Sequence, residues 1–299
     1  MLYNQNRMRY LSANQYYRQK YGKKMYKASI SLATSCPNRD GTCGHGGCAF
    51  CSEQGSGDFA SGTYDSVTVQ IDKAIEKVSA KTDKETGYIA YFQSFTSTYV
   101  KPDVLRDALN EAASHPMVEA ISIATRPDCL GDEILSVIAE FISRMPVSVE
   151  LGLQTSSDDV AMTFGRGYKT EVYDGAVRAL KELGAEVVTH VIFGLPGESR
   201  EDMLNSVRHA VDHGTDGLKF TCLFLLEGTR YGELYKEGKI TPLEMEEYFD
   251  IVDAALELVP DGMPILRVTG DGPKKILLAP LWTANKRAVV NYINRRFGQ

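Results

Sequence analysis

Four of the six cysteines lie in one glycine-rich segment, residues 36–51, which reads CPNRDGTCGHGGCAFC. Thiolates are soft ligands suited to zinc and to iron–sulfur clusters, and a Cys-x-x-Cys pair on such a loop can surround one metal centre. The loop alone leaves two kinds of site open. One is an iron–sulfur cluster, and the other is a closed zinc site with four thiolates, Cys36, Cys43, Cys48 and Cys51.

The rest of the composition indicates a folded cytoplasmic protein. Hydrophobic residues make up 43% of the 299 residues and charged residues 24%, as in ordinary globular proteins. The first residues contain no apolar signal segment and no run of about 18 apolar residues occurs, so we expect neither secretion nor a membrane span. In a reducing compartment, clustered cysteines favour metal binding or catalysis over disulfides.

Six short apolar runs, each followed by a helical pattern, predict alternating strands and helices. The predicted strands are Ala28–Thr34, Tyr88–Ser94, Val118–Thr125, Val147–Leu153, Glu186–Phe193 and Gly217–Phe224. The predicted helices are Ser66–Ala80, Pro102–His115, Asp132–Arg144, Thr170–Leu183, Arg200–His213 and Pro242–Leu258. Such strands run parallel with right-handed crossovers, in either a six-stranded barrel or an open sheet. The tail adds a short strand candidate, Ile265–Thr269, and a helix near Ala284–Arg296.

Each predicted strand is followed by a loop of unusual composition. The loops are the cysteine segment, QSFTST, TRPDCL, QTSSDD, GLPGES and LEGTRYG, in chain order. Because the carboxyl ends of parallel strands meet at one edge, we expect all six loops on the same side of the sheet, where the chemistry of such folds is found.

These loops together resemble the radical S-adenosylmethionine (SAM) superfamily, in the branch of the Elongator catalytic subunit and the oxygen-independent coproporphyrinogen oxidases. The cysteine loop is similar to that of a bacterial group with a CPNRDG…GGC-x-FC pattern. The resemblance implies an α/β fold, a partial (β/α)6 TIM-type barrel over residues 28–230. Residues 1–27 would form a basic N-terminal extension, and residues 231–299 a C-terminal appendage of helix and strand.

The resemblance also implies a 4Fe-4S cluster held by Cys36, Cys48 and Cys51. Eleven residues separate the first two of these cysteines, which is similar to the wider Elongator-type spacing. Cys43 is interpreted as a non-ligand, because a fourth thiolate would leave SAM no iron to bind.

The SAM contacts carried over from the family lie in four of the loops. Phe50 would pack beside the adenine, and the backbone around Ile192, in HVIFGLPGE, would lie along it. Gln154, at the end of ELGLQ, would hydrogen-bond the ribose or the amino acid portion, and Arg166 would pair with the carboxylate. The alternatives are a strand-end glutamine and a surface arginine.

Further contacts are expected at the end of the second strand. The hydroxyl groups of Ser94 and Thr96 would accept hydrogen bonds from the SAM ammonium. At the ends of two other strands, Arg126 and Asp128 form either part of the site or a loop ion pair, and His190 is interpreted as a buried, hydrogen-bonded histidine.

The resemblance implies an enzyme that reductively cleaves SAM at the cluster, giving a 5′-deoxyadenosyl radical that acts on an unknown substrate. A reducing partner such as flavodoxin or ferredoxin would supply the electron. Two other classes remain as alternatives, a zinc-containing or nucleic-acid-binding protein and a low-potential electron carrier.

The charge distribution bears on the substrate. Residues 1–39 carry eight bases and no acid, residues 262–299 carry seven bases and one acid, and the net charge of −6 therefore leaves an acidic middle. The basic ends either pack against this acidic body or bind a polyanion such as RNA. A small-molecule or peptide substrate is slightly favoured, because the pI is about 5.5.

Overall fold

Seven parallel strands form one sheet in the computed structural model, which describes residues 8–32, 34–53, 55, 65–93 and 95–298. The first six follow one another in chain order, and the seventh pairs with the sixth. The strands of the sheet are β1 (Met25–Ile30), β2 (Gly87–Phe92), β3 (Val118–Thr125), β4 (Val147–Gln154), β5 (Glu186–Phe193), β6 (Gly217–Cys222) and β8 (Ile265–Arg267). Two further strands, β7 (Leu225–Leu226) and β9 (Leu277–Ala279), pair antiparallel.

Helices precede, connect and follow these strands, and most of them cover one face of the sheet. They are α1 (Ala13–Tyr21), α2 (Val67–Val78), α3 (Pro102–Ser114), α4 (Asp132–Ile142), α5 (Asp158–Phe164), α6 (Thr170–Glu182), α7 (Arg200–Asp212), α8 (Arg230–Lys236), α9 (Met245–Leu256) and α10 (Lys286–Phe297). None of the described helices combines the length and the apolar character needed to cross a bilayer.

The predicted α/β architecture is confirmed, and the sheet curls into a half-barrel. β3 and β5 have the predicted bounds, whereas β1 begins three residues before the predicted Ala28. The earlier start includes Lys27, which reads as polar in sequence but is paired with Glu150 inside the fold.

The sheet has one strand more than predicted, because the tail contributes β8. Leu218 pairs with Ile265, and Lys219 with Arg267. The tail is therefore part of the sheet as well as an appendage to it. Three residues are too short for a periodic pattern, so the sequence offered β8 only as a candidate strand.

The two faces of the sheet differ in chemistry. Alternate residues such as Ile30, Phe92 and Ile123 are buried in the main core beneath the helices. The opposite, inner face carries a polar row, which we call the Glu150 layer and which consists of Lys27, Tyr91, Ser122, Glu150, His190 and Lys219. Strand alternation places every second side chain of each strand on this face.

Helix α1 lies across the amino ends of the strands. Tyr17 and Tyr21 pack with Met25, Ile89 and Ala120 on the inner face. The preceding segment is joined to the far edge of the sheet, where the backbone of Ser12 bridges that of Ile265. The basic N-terminal extension thus forms one end of the half-barrel.

Basic residues of both chain ends pair with acids of the body. Lys20 pairs with Glu186 at 2.5 Å, and Lys23 pairs with Glu119 at 2.7 Å. From the C-terminal end, Arg296 contacts Asp250 at 2.6 Å. The structure thus supports the interpretation in which basic ends pack against an acidic body.

Candidate functional site

The cysteine loop is attached by backbone hydrogen bonds to helices that begin or end at the carboxyl edge. The Ala49 N–H donates to the Phe164 carbonyl at the end of α5, and the Tyr231 N–H in α8 donates to the Ala49 carbonyl, each at 2.9 Å. Cys36, Cys48 and Cys51 are half-buried, and the Cys51 N–H donates to the Cys48 carbonyl. Cys43 is exposed.

Asn38 is a residue that the sequence reasoning missed. Its side chain is buried, and its amide nitrogen donates to the Cys48 sulfur at 3.2 Å and to the Arg166 carbonyl at 3.3 Å. The amide therefore holds one predicted ligand while joining the cysteine loop to the segment after α5. The sequence signal was its place in the CPNRDG pattern, two residues after the predicted ligand Cys36, because groups that hydrogen-bond metal ligands commonly lie beside them.

The contact between the cysteine loop and the segment after α5 leaves no room for a side chain at Gly167. Its φ of +83° suits glycine, and an added Cβ would lie 2.9 Å from the Asn38 Oδ1 and 3.3 Å from the Cys43 Cβ. The close approach keeps the cysteine loop in contact with the segment that follows α5.

Burial affects the chemistry of the thiols. Desolvation raises the pKa of Cys48 to about 11, although the Asn38 hydrogen bond acts in the opposite direction. A metal that binds this sulfur must therefore displace a proton, and its affinity will rise with pH.

Gln154 ends β4 in a strained conformation. Its φ is +61°, a left-handed value that is rare outside glycine, and its buried Oε1 has no hydrogen-bond partner among the described residues. Gly152 gives the Gln154 amide its place, because a Cβ at residue 152 would lie 2.1 Å from the Gln154 Nε2. Strain together with an unpaired buried acceptor is typical of ligand-binding positions.

Arg166 lies in the interior, with 1% of its surface exposed. Its five N–H groups all donate within the chain, to the carbonyls of Tyr168, Leu153 and Thr155 and to the side chains of Asp158 and Thr170. This arrangement leaves no donor for the SAM carboxylate that the resemblance assigned to it. Arg166 instead fixes the loop that follows Gln154.

Phe50 and Ile192 belong to one apolar cluster at the carboxyl edge. The Phe50 ring lies 5.2 Å from that of Phe164, measured between centroids, and Cys48 borders the same cluster. The structure thus brings together two of the predicted adenine contacts and one predicted metal ligand.

The structure describes only part of the predicted SAM-binding segment after β2. Ser94 lies outside the described residues, whereas Thr96 is buried and its carbonyl accepts from the Tyr99 N–H at 2.9 Å. Phe95, between them, has a φ of +50°, and the Arg39 guanidinium lies over its ring at 5.3 Å. This second strained residue connects the β2 loop to the cysteine loop.

Arg126 and Asp128 form a two-pronged ion pair, with N–O distances of 2.9 and 2.7 Å. The same guanidinium donates to the Arg166 carbonyl at 2.9 Å. The loop ion pair is therefore present, and it also braces the segment that contains Arg166.

Glu150 is the centre of the Glu150 layer. It is fully buried and pairs with Lys27 and Lys219, and it accepts from Tyr91 at 2.7 Å and from His190 at 2.8 Å. Burial alone would raise the pKa of Glu150, but the charges of Lys219 and Lys27 hold it well below its usual value. Desolvation lowers the pKa of His190 to about 4, so this histidine is neutral near pH 7, as a buried, hydrogen-bonded residue.

Comparison with known families identifies the class of protein. The model of the radical SAM superfamily matches residues 36–210, and that of the radical SAM C-terminal domain matches residues 215–299. The first match spans more than half of the chain and includes every position predicted to hold the cluster or SAM. The chain belongs to the radical SAM superfamily.

Several known proteins are similar to this chain in sequence or in fold. YtqA of Bacillus subtilis is 38% identical over 293 residues, which cover 98% of this chain and 91% of YtqA. A tRNA uridine(34) acetyltransferase of Methanocaldococcus jannaschii is 29% identical over 173 residues, 57% of this chain and 31% of that protein. The solved structure of Elp3 from Methanocaldococcus infernus matches with a TM-score of 0.66 at 18% identity, covering 91% of this chain and 63% of that one. This chain thus spans less than two thirds of the Elp3 chain, and the likeness is one of fold.

Proposed function

We propose that this protein reductively cleaves SAM at a 4Fe-4S cluster held by Cys36, Cys48 and Cys51, and that the resulting 5′-deoxyadenosyl radical acts on a substrate. The observation that carries the proposal is the half-buried cysteine trio, docked at the carboxyl edge beside an apolar wall and a strained, unpaired glutamine. The donor set fits, since thiolates are the ligands of such clusters and the Asn38 amide already donates to one sulfur. When bound, the cluster supplies an electron and an open iron for SAM.

The chain's own residues bind and orient the cofactor. Phe50 and Ile192 would form the apolar wall beside the adenine, and the free Gln154 Oε1 would accept a hydrogen bond from the ribose or the ammonium. Thr96 would contribute acceptors near the ammonium, as would Ser94. Arg166 is a positioning residue, because its donors hold the backbone on either side of the site.

The substrate proposed is a small molecule or a peptide that reaches the inner face, with a flavodoxin or ferredoxin as the cytoplasmic reductant. RNA is a second candidate, because one relative carries the name of a tRNA uridine(34) acetyltransferase. The ion pairs of Lys20, Lys23 and Arg296 weigh against it, since side chains engaged with acids gain less from phosphate contacts.

The proposed function is tested by SAM cleavage. We expect the anaerobically reconstituted, dithionite-reduced protein to form 5′-deoxyadenosine slowly without added substrate. Gln154→Ala and Gln154→Asn should weaken SAM binding by about tenfold, the cost of one lost hydrogen bond, while iron content stays unchanged. Asparagine tolerates the left-handed backbone conformation. Gln154→Asn therefore tests the effect of a shorter side chain without a change in backbone strain.

Arg166→Lys is compared with the two Gln154 variants, because Arg166 supports the site without contacting SAM. Lysine cannot satisfy the five acceptors of Arg166, so this variant should lower thermal stability as well as SAM affinity. Absence of 5′-deoxyadenosine from iron-replete wild-type protein would contradict the proposed function, and normal SAM affinity in both Gln154 variants would remove Gln154 from the site.

The Asn38 hydrogen bond predicts a change in reduction potential. A donor to sulfur stabilises the extra negative charge of a reduced cluster, so Asn38→Ala should shift the midpoint potential to more negative values, on the order of tens of millivolts. Potentiometric titration followed by electron paramagnetic resonance measures the shift. Asn205→Ala, on α7, serves as the control. An unchanged potential in iron-replete Asn38→Ala protein would show that the contact does not affect the cluster.

A further inference from the structure

Two histidines and an aspartate meet on the outer helices. Asp174 lies on α6, His209 lies in the last turn of α7, and His213 caps the carboxyl end of α7. One potential ligand atom from each falls within 4.8 Å of the others. The His209 Nε2 is 2.6 Å from the Asp174 Oδ1, and the His213 Nε2 is 3.6 Å from the same oxygen. These groups take no part in the site at the cysteine loop.

The sequence and the packing of the helices both place these side chains together. His213 follows His209 by four residues at the capped end of α7, so the two side chains lie on one face, and their rings stack with centroids 4.1 Å apart. Asp174 reaches them from α6, whose Tyr173 ring lies 6.0 Å from that of His209. The three candidate ligands therefore come from two helices that pack against the same strand, β5.

The hydrogen bonding of His213 leaves its Nε2 suited to a cation. Its Nδ1 is 2.8 Å from the His209 carbonyl, which can only accept, so the proton of a neutral ring lies on Nδ1. The lone pair of Nε2 then faces a carboxylate oxygen, also an acceptor, at 3.6 Å. A positive charge between these two acceptors, either a second ring proton or a bound cation, would remove their repulsion. A backbone carbonyl that fixes the tautomer in this way is a usual companion of metal-binding histidines.

We propose that Asp174, His209 and His213 bind one Zn²⁺ ion through a carboxylate oxygen and the two Nε2 atoms, with water completing the coordination. Imidazole and carboxylate are ligands that zinc accepts, and three protein ligands plus water is a common set. Zinc bonds of about 2.0 Å in a tetrahedral arrangement place ligand atoms about 3.3 Å apart. The observed separations of 2.6 and 3.6 Å bracket that value, so small side-chain movements would form the site.

Such an ion would connect α6 to α7 on the outside of the half-barrel. Because it binds the folded chain, where the three ligands meet, it would raise the unfolding temperature in proportion to the logarithm of its concentration. The bound water leaves one position open, so the ion should exchange more readily than one in a closed site.

The test uses the tag-free full chain with its cluster loaded, so that the cysteine ligands are occupied, and Co²⁺ as a spectroscopic probe. We expect one Co²⁺ per chain, with weak visible bands of nitrogen and oxygen ligation and no thiolate charge-transfer band. Equimolar Zn²⁺ should displace it. His209→Gln and His213→Gln should each weaken Co²⁺ binding by at least about tenfold.

His115→Gln provides the matched control. His115 also pairs with an aspartate, Asp72, at 3.2 Å, but the pair is not part of a three-ligand group in the described chain. This variant should retain Co²⁺ binding and the Zn²⁺-dependent rise in unfolding temperature, whereas His213→Gln should lose that rise. The proposal is overturned if Co²⁺ does not bind, or if its spectrum shows thiolate ligation. It is also overturned if His209→Gln and His213→Gln both bind Co²⁺ as well as the wild type.

Discussion

Alanine at Cys36, Cys48 or Cys51 should reduce iron from about four atoms per chain to nearly none, because each substitution removes a thiolate ligand of the proposed cluster. SAM cleavage should disappear together with the iron. Anaerobic reconstitution followed by iron and sulfide analysis measures the first effect, and the yield of 5′-deoxyadenosine measures the second.

Cys43→Ala is the control on the same loop. Cys43 is exposed, whereas the other three cysteines are half-buried, so we expect this variant to keep its iron and its activity. Loss of iron from Cys43→Ala would instead indicate four thiolate ligands, as required by a four-cysteine electron carrier. Stoichiometric zinc and no iron in the purified wild-type protein would favour the closed zinc site.

Glu150→Gln should destabilise the fold by about 3–5 kcal/mol, because it leaves Lys27 and Lys219 together without their buried counterion. Glutamine keeps the shape of the side chain, removes the charge and replaces one acceptor oxygen with an NH2 group that cannot accept. Chemical denaturation of the wild type and the variant near pH 7, in the same metal-loading state, measures the difference in free energy of unfolding.

Glu140→Gln is the matched control, since Glu140 forms its ion pair with Arg106 in a more exposed position. Its effect should remain within about 1 kcal/mol. Because the pKa of Glu150 is depressed, its contribution is present above the unfolded value of about 4.3 and is lost as pH falls through the lower folded value. The difference between wild type and Glu150→Gln should therefore shrink as the pH falls into the acid range. A small difference at pH 7 would contradict the role assigned to this carboxylate.

Much of the fold could be predicted from the alternation of strands and helices. β3 and β5 have their predicted ends because their apolar, β-branched runs are sharply bounded. The start of β1 and the presence of β8 depended on tertiary contacts. Lys27 enters a strand because a carboxylate on another strand neutralises it, and β8 exists because β6 presents an open edge.

The sequence predicted which residues lie in the candidate site better than it predicted what each of them does. Cysteine spacing and the apolar character of Phe50 and Ile192 are properties of the local sequence, and Cys48, Phe50 and Ile192 pack against one apolar cluster in the structure. The role of Arg166 could not be obtained in the same way, because a motif does not show how many donors the surrounding backbone will use. The five acceptors around Arg166 come from residues between 153 and 170 that only the folded chain brings together.

Helix α1 covers the amino end of the half-barrel. Tyr17 and Tyr21 pack against the inner face at the amino ends of the strands, and Lys20 and Lys23 pair with Glu186 and Glu119. A molecule that approached the Glu150 layer along the axis would then come from the carboxyl edge, past the cysteine loop. A radical formed there by the proposed reaction would be shielded from solvent on the side that α1 covers, which limits its side reactions.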